Sequence, residues 1–126
     1  MTTTDHRTGP AQPDRQSGAA RMFGDFAPGL VAFTDDVLFG QVWTRPELSP
    51  RDRSLITVAA LTAGGNAGQL TYHLALARDN GVTVTELTEA ITHLAFYSGW
   101  PRAMSAMAVA KQVFAAPGTS SQKEQA

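Results

Sequence analysis

The segment Val82-Thr83-Val84-Thr85-Glu86-Leu87 constrains the fold of this chain more than any other. A Thr at the N-cap with a Glu three residues later is a capping box, in which each side chain satisfies the other residue's orphan backbone N–H. Val82 and Leu87 flank it as a hydrophobic staple. A helix therefore starts at this point, and its apolar stripe of Leu87, Ile91, Leu94 and Ala95 runs to Gly99.

Comparable signals recur on both sides. Ser49-Pro50-Arg51-Asp52 supplies a hydroxyl N-cap, a proline at the first helical position and an early acid, so a helix should run from there to about Ala63, where Gly64-Gly65 ends it. Upstream, Leu30, Phe33, Val37 and Leu38 lie at amphipathic spacing and predict a long first helix over 28–43. A third helix begins near Asn66 and stops at Asn80-Gly81, the glycine suiting a left-handed cap, and Pro101 opens a last helix to about Ala115. No stretch alternates with period two for long enough to be a strand, so the expected class is all-α, a single-domain helical bundle.

Residues 1–20 and 117–126 are rich in small and polar residues, with too little apolar surface to offset the entropy of ordering, and are expected to be disordered tails around a domain at 21–116. About 95 residues then make the fold, a size at which burial is modest and self-association helps. The net charge of −1 offers no basic field to a phosphate backbone, so nucleic acid is not an expected partner. No apolar run has the length of a signal core or a membrane span, and a cytoplasmic location is expected. The chain has no cysteine, so thiol catalysis has no nucleophile.

On the third helix Asn66, Gln69 and His73 stand at i, i+3 and i+7 and share one face. Around them lie strings that resemble the signature of the carboxymuconolactone decarboxylase family. They are GQVWTRPELSPRDRSLIT at 40–57, QLTYHL at 69–74, NGVT at 80–83 and THLAFYSGWP at 92–101, in the family's order and spacing. The resemblance covers about residues 22–115. It implies an all-helical fold in ring-like homo-oligomers, trimers or hexamers, with sites near subunit interfaces. The same superfamily holds alkylhydroperoxidase-D-like proteins, whose centre is a Cys-x-x-Cys pair, a histidine four residues on and a glutamate on the preceding helix. Those positions fall on Asn66, Gln69, His73 and Ser54, so only the histidine is kept and peroxide reduction by that chemistry is excluded.

In the decarboxylase branch a carboxylated unsaturated lactone loses carbon dioxide while its electrons delocalise into the lactone carbonyl, without a cofactor. This chemistry, part of aromatic-compound catabolism, needs donors at the developing oxyanion and an acid for carbon. Asn66 and Gln69 are the candidate donors and His73 the proton carrier, with Arg51, Arg53, Ser54, His93, Tyr97 and Trp100 as candidate substrate-binding residues. Plainer readings stand beside these. His73 borders the Leu70, Leu74, Ala77 stripe and can be a packed histidine; Asn66 can be a helix N-cap; Arg51 and Arg53 can be ion-paired on a first turn. His93 can pair with Glu89 or wall a shared pocket, while Tyr97 and Trp100 can line that pocket or join two subunits. Met104 and Met107 read as core filler.

The chain's three histidines, one in a tail, make a metal site a poor expectation; spacing leaves open only His73 and His93 with Glu86 or Glu89, and the expected metal is none. No glycine-rich nucleotide loop is present, so no cofactor is expected. The leading expectation is a cofactor-independent decarboxylase for a small carboxylated lactone or oxo acid. A non-catalytic acid-binding or structural oligomer, and a cofactor-free isomerase or lactone-opening enzyme, remain as alternatives.

Overall fold

The computed structural model describes residues 17–115; the tails expected at 1–20 and 117–126 lie outside them except for 17–20. All regular structure among the described residues is helical, in two compact units at 17–45 and 46–115.

In the first unit, α1 (Gly18–Phe23) is capped by Ser17, whose Oγ accepts from the Ala20 N–H at 2.9 Å and donates to Asp35 at 2.9 Å. A short α2 (Pro28–Ala32) passes directly into a π-helical segment, Phe33–Val42. This corrects the expectation of one α-helix over 28–43. Thr34 donates its hydroxyl to the Leu30 carbonyl at 2.7 Å where the winding changes. The widened turns close with an i→i−5 bond from the Trp43 N–H to the Leu38 carbonyl at 2.9 Å. At Gly40 a Cβ would stand 3.0 Å from the Asp35 carbonyl oxygen, so this winding wants a residue without one. The α-period stripe is lost with it: Leu30, Phe33, Val37 and Leu38 are all exposed, and no helical residue of this unit is buried.

The second unit holds α3 (Pro50–Gly64), α4 (Ala67–Asp79), α5 (Val84–Ser98) and α6 (Trp100–Phe114). α3 packs on α4, α5 and α6; α6 also packs on α4 and α5. Each helix contributes one buried stripe: Ser54, Val58 and Thr62 from α3; Leu70, Leu74 and Ala77 from α4; Leu87, Ile91 and Ala95 from α5; and Ala103, Ala106 and Ala110 from α6. Because α6 offers only alanines, its backbone can approach its neighbours closely, and the large side chains come from α4 and α5. Each fully buried leucine or isoleucine contributes about 1.5–3 kcal/mol.

Both predicted start signals form. Ser49 Oγ accepts from the Asp52 N–H at 3.0 Å. The Thr83–Glu86 box is complete, at 3.0 Å and 2.9 Å, with Val82 and Leu87 both fully buried beside it. Gly65, at φ 75° and ψ 24°, ends α3 in the left-handed region, where a Cβ is costly. Met107 packs against the core as expected, but Met104 does not. It is 63% exposed, because α6 turns its alanine stripe, and not Met104, to the interior.

Candidate functional site

The candidate residues lie on α3 to α6, all within the second unit. Gln69 and His73 lie in the first half of α4, and Asn66 immediately precedes it. Asn66 stands at the N-cap position, with φ −94° and ψ 63°, and is therefore at the helix entrance; its side chain makes no capping hydrogen bond. Instead its Oδ1 lies over Gly64, where a Cβ would be only 2.5 Å away. Gln69 is exposed one turn on.

His73 is half-buried, with Nδ1 fully shielded from solvent, and its ring meets that of Tyr72 edge-on at 5.0 Å. Burial pushes its pKa below the usual histidine value near 6.5, because the cation is the form that loses hydration. At neutral pH the imidazole is therefore neutral, flanked along α4 by the buried Leu70, Leu74 and Ala77.

On α3 the candidates separate. Ser54 is fully buried, and its Oγ accepts from Asn80 Nδ2 at 3.0 Å, so it ties α3 to the end of α4 and has no face toward solvent. Ser54, expected from sequence among the substrate-binding residues, is here part of the packing between α3 and α4. Arg51 is ion-paired with Glu86 on α5 and with Asp52 at 3.3 Å, the plainer of its two readings. Glu86 serves the capping box and Arg51 at once. The Thr83 backbone hydrogen bond, followed by Arg51, holds its carboxyl below the usual carboxylate range. Arg53 is half-buried.

Along α5 and into α6 a surface of aromatic side chains is exposed. His93 stacks on Tyr97, centroids 4.8 Å apart and planes at 27°, a contact that neither the Glu89 pair nor the shared-pocket reading of His93 had specified. Phe96 and Trp100 meet edge-to-face at 5.3 Å. Phe96, Tyr97 and Trp100 remain 74%, 78% and 57% exposed, so none of the three is consumed by the fold of the chain itself.

Two further residues were not legible from sequence. Asn80 read as a helix stop, yet it satisfies Ser54 across 26 residues. Arg102, in the first turn of α6, donates from Nη1 to the Ala63 carbonyl at the end of α3, 39 residues away. Its Nε and Cζ lie 3.8 Å and 3.9 Å from where a Cβ on Gly65 would stand. Neither contact has a local sequence signal. Among the described residues no cluster of three or more His, Asp or Glu is placed to hold a metal ion, and no helix is long and apolar enough to cross a membrane.

These features define a class: an all-helical protein that presents an amide pair and a neutral, half-buried histidine along the opening turns of one helix. The chain belongs to the carboxymuconolactone decarboxylase family, whose model matches residues 28–112. Over 99 residues it is 39% identical to the 4-carboxymuconolactone decarboxylase of Acinetobacter baylyi, a match spanning 79% of this chain and 74% of that one. It is 38% identical over 85 residues to the nitrosuccinic acid decarboxylase of Metarhizium robertsii, covering 68% of this chain and 59% of the relative. Both relatives are decarboxylases by name, and this chain is accordingly read as a lyase.

Proposed function

We propose that this protein is a cofactor-independent decarboxylase acting on a small carboxylated lactone, or a related oxo acid, in the breakdown of aromatic compounds. The observation that carries the reading is the position of His73, half-buried and neutral, on the same helix as two amide side chains, in a chain similar to two decarboxylases.

In the proposed reaction the bond between the carboxylate carbon and the ring breaks, and carbon dioxide leaves. The electron pair left behind moves through the double bond onto the lactone carbonyl oxygen. Amide N–H groups of Asn66 and Gln69 donate to that oxygen as its charge grows, when such bonds are worth most. The imidazolium form of His73 then delivers its proton to carbon and is restored from water. Its lowered pKa makes it a strong acid that is scarce at neutral pH, so turnover is expected to rise as pH falls toward that pKa.

Support for self-association comes from the exposed Phe96, Tyr97 and Trp100, since aromatic residues concentrate at buried interface centres, and the family resemblance implies a trimer or hexamer. Sedimentation of the purified chain tests this.

The function is tested by mixing the protein with 4-carboxymuconolactone and following carbon dioxide release and lactone absorbance beside folded His73→Ala. Turnover by the wild type alone supports the reading. Loss of lactone without carbon dioxide points to isomerisation or ring opening, and saturable binding without product points to an acid-binding oligomer.

A further inference from the structure

Arg102 stands at the junction of three helices that the candidate site shares. From the first turn of α6 its Nη1 reaches the Ala63 carbonyl at the end of α3, and its guanidinium borders Gly65, the residue immediately before Asn66. On the neighbouring Gly64, a Cβ would collide with the Asn66 amide. The Arg102 guanidinium and the Asn66 amide thus flank one glycine pair at the entrance to α4, the helix of Gln69 and His73.

Charge placement separates Arg102 from Arg51, one of the two arginines first expected to meet a carboxylate. Arg51 is occupied by Glu86 and Asp52. Arg102 is exposed, and its recorded partner among the described residues is a neutral carbonyl, which uses one donor of a planar fork suited to carboxylates. Decarboxylation restricts where such a cation helps. An ion pair to the departing carboxylate favours the charged ground state and opposes its loss as neutral carbon dioxide, whereas an ion pair to a carboxylate that stays is equally strong throughout and serves binding.

We infer that Arg102 is a substrate-binding residue that anchors a second, retained carboxylate of the substrate while the first is lost beside Asn66, Gln69 and His73. The inference rests on the proposed decarboxylase reading. Its signature is uniform binding: removing the guanidinium raises KM and leaves kcat nearly unchanged.

The test is steady-state decarboxylation of 4-carboxymuconolactone by wild type, Arg102→Gln and Arg102→Lys, with the urea midpoint of each. The expected result is a KM raised roughly 10- to 100-fold in Arg102→Gln with kcat within about threefold, and partial recovery in Arg102→Lys. An unchanged KM overturns the inference. So does a loss of kcat that follows a fallen urea midpoint in both variants, which would make Arg102 only a clamp on the end of α3. If the wild type does not turn over, the decarboxylase reading fails separately, and calorimetric titration with the same lactone decides. Binding by wild type that weakens at least tenfold in Arg102→Gln upholds the carboxylate anchor; equal binding, or none to wild type, overturns it.

Discussion

Asn80 donates from Nδ2 to Ser54 Oγ at 3.0 Å, joining the end of α4 to a fully buried position on α3. A buried hydroxyl deprived of its donor keeps its desolvation cost. Asn80→Ala is therefore expected to destabilise the protein by about 1–2 kcal/mol, and Ser54→Ala by a similar or smaller amount. Because the residues serve each other, the double variant should cost less than the sum, with a coupling of at least about 0.5 kcal/mol in urea denaturation. Strict additivity would mean the bond contributes nothing.

The adjacent glycines at the end of α3 are expected to answer differently to alanine. Gly65→Ala places a Cβ at φ 75° and should cost about 1–2 kcal/mol in the urea midpoint. At Gly64, which is helical, the conflict is with the movable Asn66 amide at 2.5 Å, so stability should change by less than about 0.5 kcal/mol while Asn66 is displaced. Decarboxylation by Gly64→Ala is expected to fall about tenfold or more, the scale of losing one oxyanion donor being ~10²-fold. Unimpaired turnover would remove Asn66 from the proposed chemistry.

His73 couples stability to pH with a defined sign. Its folded pKa is depressed by burial, so between the unfolded value near 6.5 and the lower folded value the unfolded chain binds more protons. The contribution of a neutral, buried His73 is complete above pH ~6.5 and is lost as pH falls through the folded pKa. His73→Gln, which does not titrate, should flatten the stability profile below pH ~6.5 measured by denaturant melts at stepped pH. An identical slope in the variant would assign the dependence to another group.

Glu86 acts in a lower window. Its depressed carboxyl, held first by the Thr83 N–H and then by Arg51, contributes stability that is present above the unfolded carboxylate value of ~4.3 and lost as pH falls through the folded pKa. Glu86→Gln should therefore leave acid unfolding below pH ~4.3 less steep, by circular dichroism. Thr83→Ala, which deletes the N-cap acceptor, is expected to cost about 1 kcal/mol at neutral pH.

Start and stop positions in the second unit were legible because they are local chemistry. Ser49 with Pro50, Thr83 with Glu86, and Gly65 with Gly81 act within a few residues on backbone groups that a helix end leaves open. The same locality misled at 28–43. Periodicity there matched an α-helix, but Gly40 and the Thr34 back-bond favour a π winding that no 3.6-residue pattern records. The chain thus determined by itself its helical class and its caps, since these depend on neighbours three or four residues apart. Tertiary structure alone decided that Ser54 is sealed against Asn80, that Arg51 is taken by Glu86 and that Arg102 reaches Ala63. Those outcomes hang on contacts 26 to 39 residues apart, set by how four helices pack.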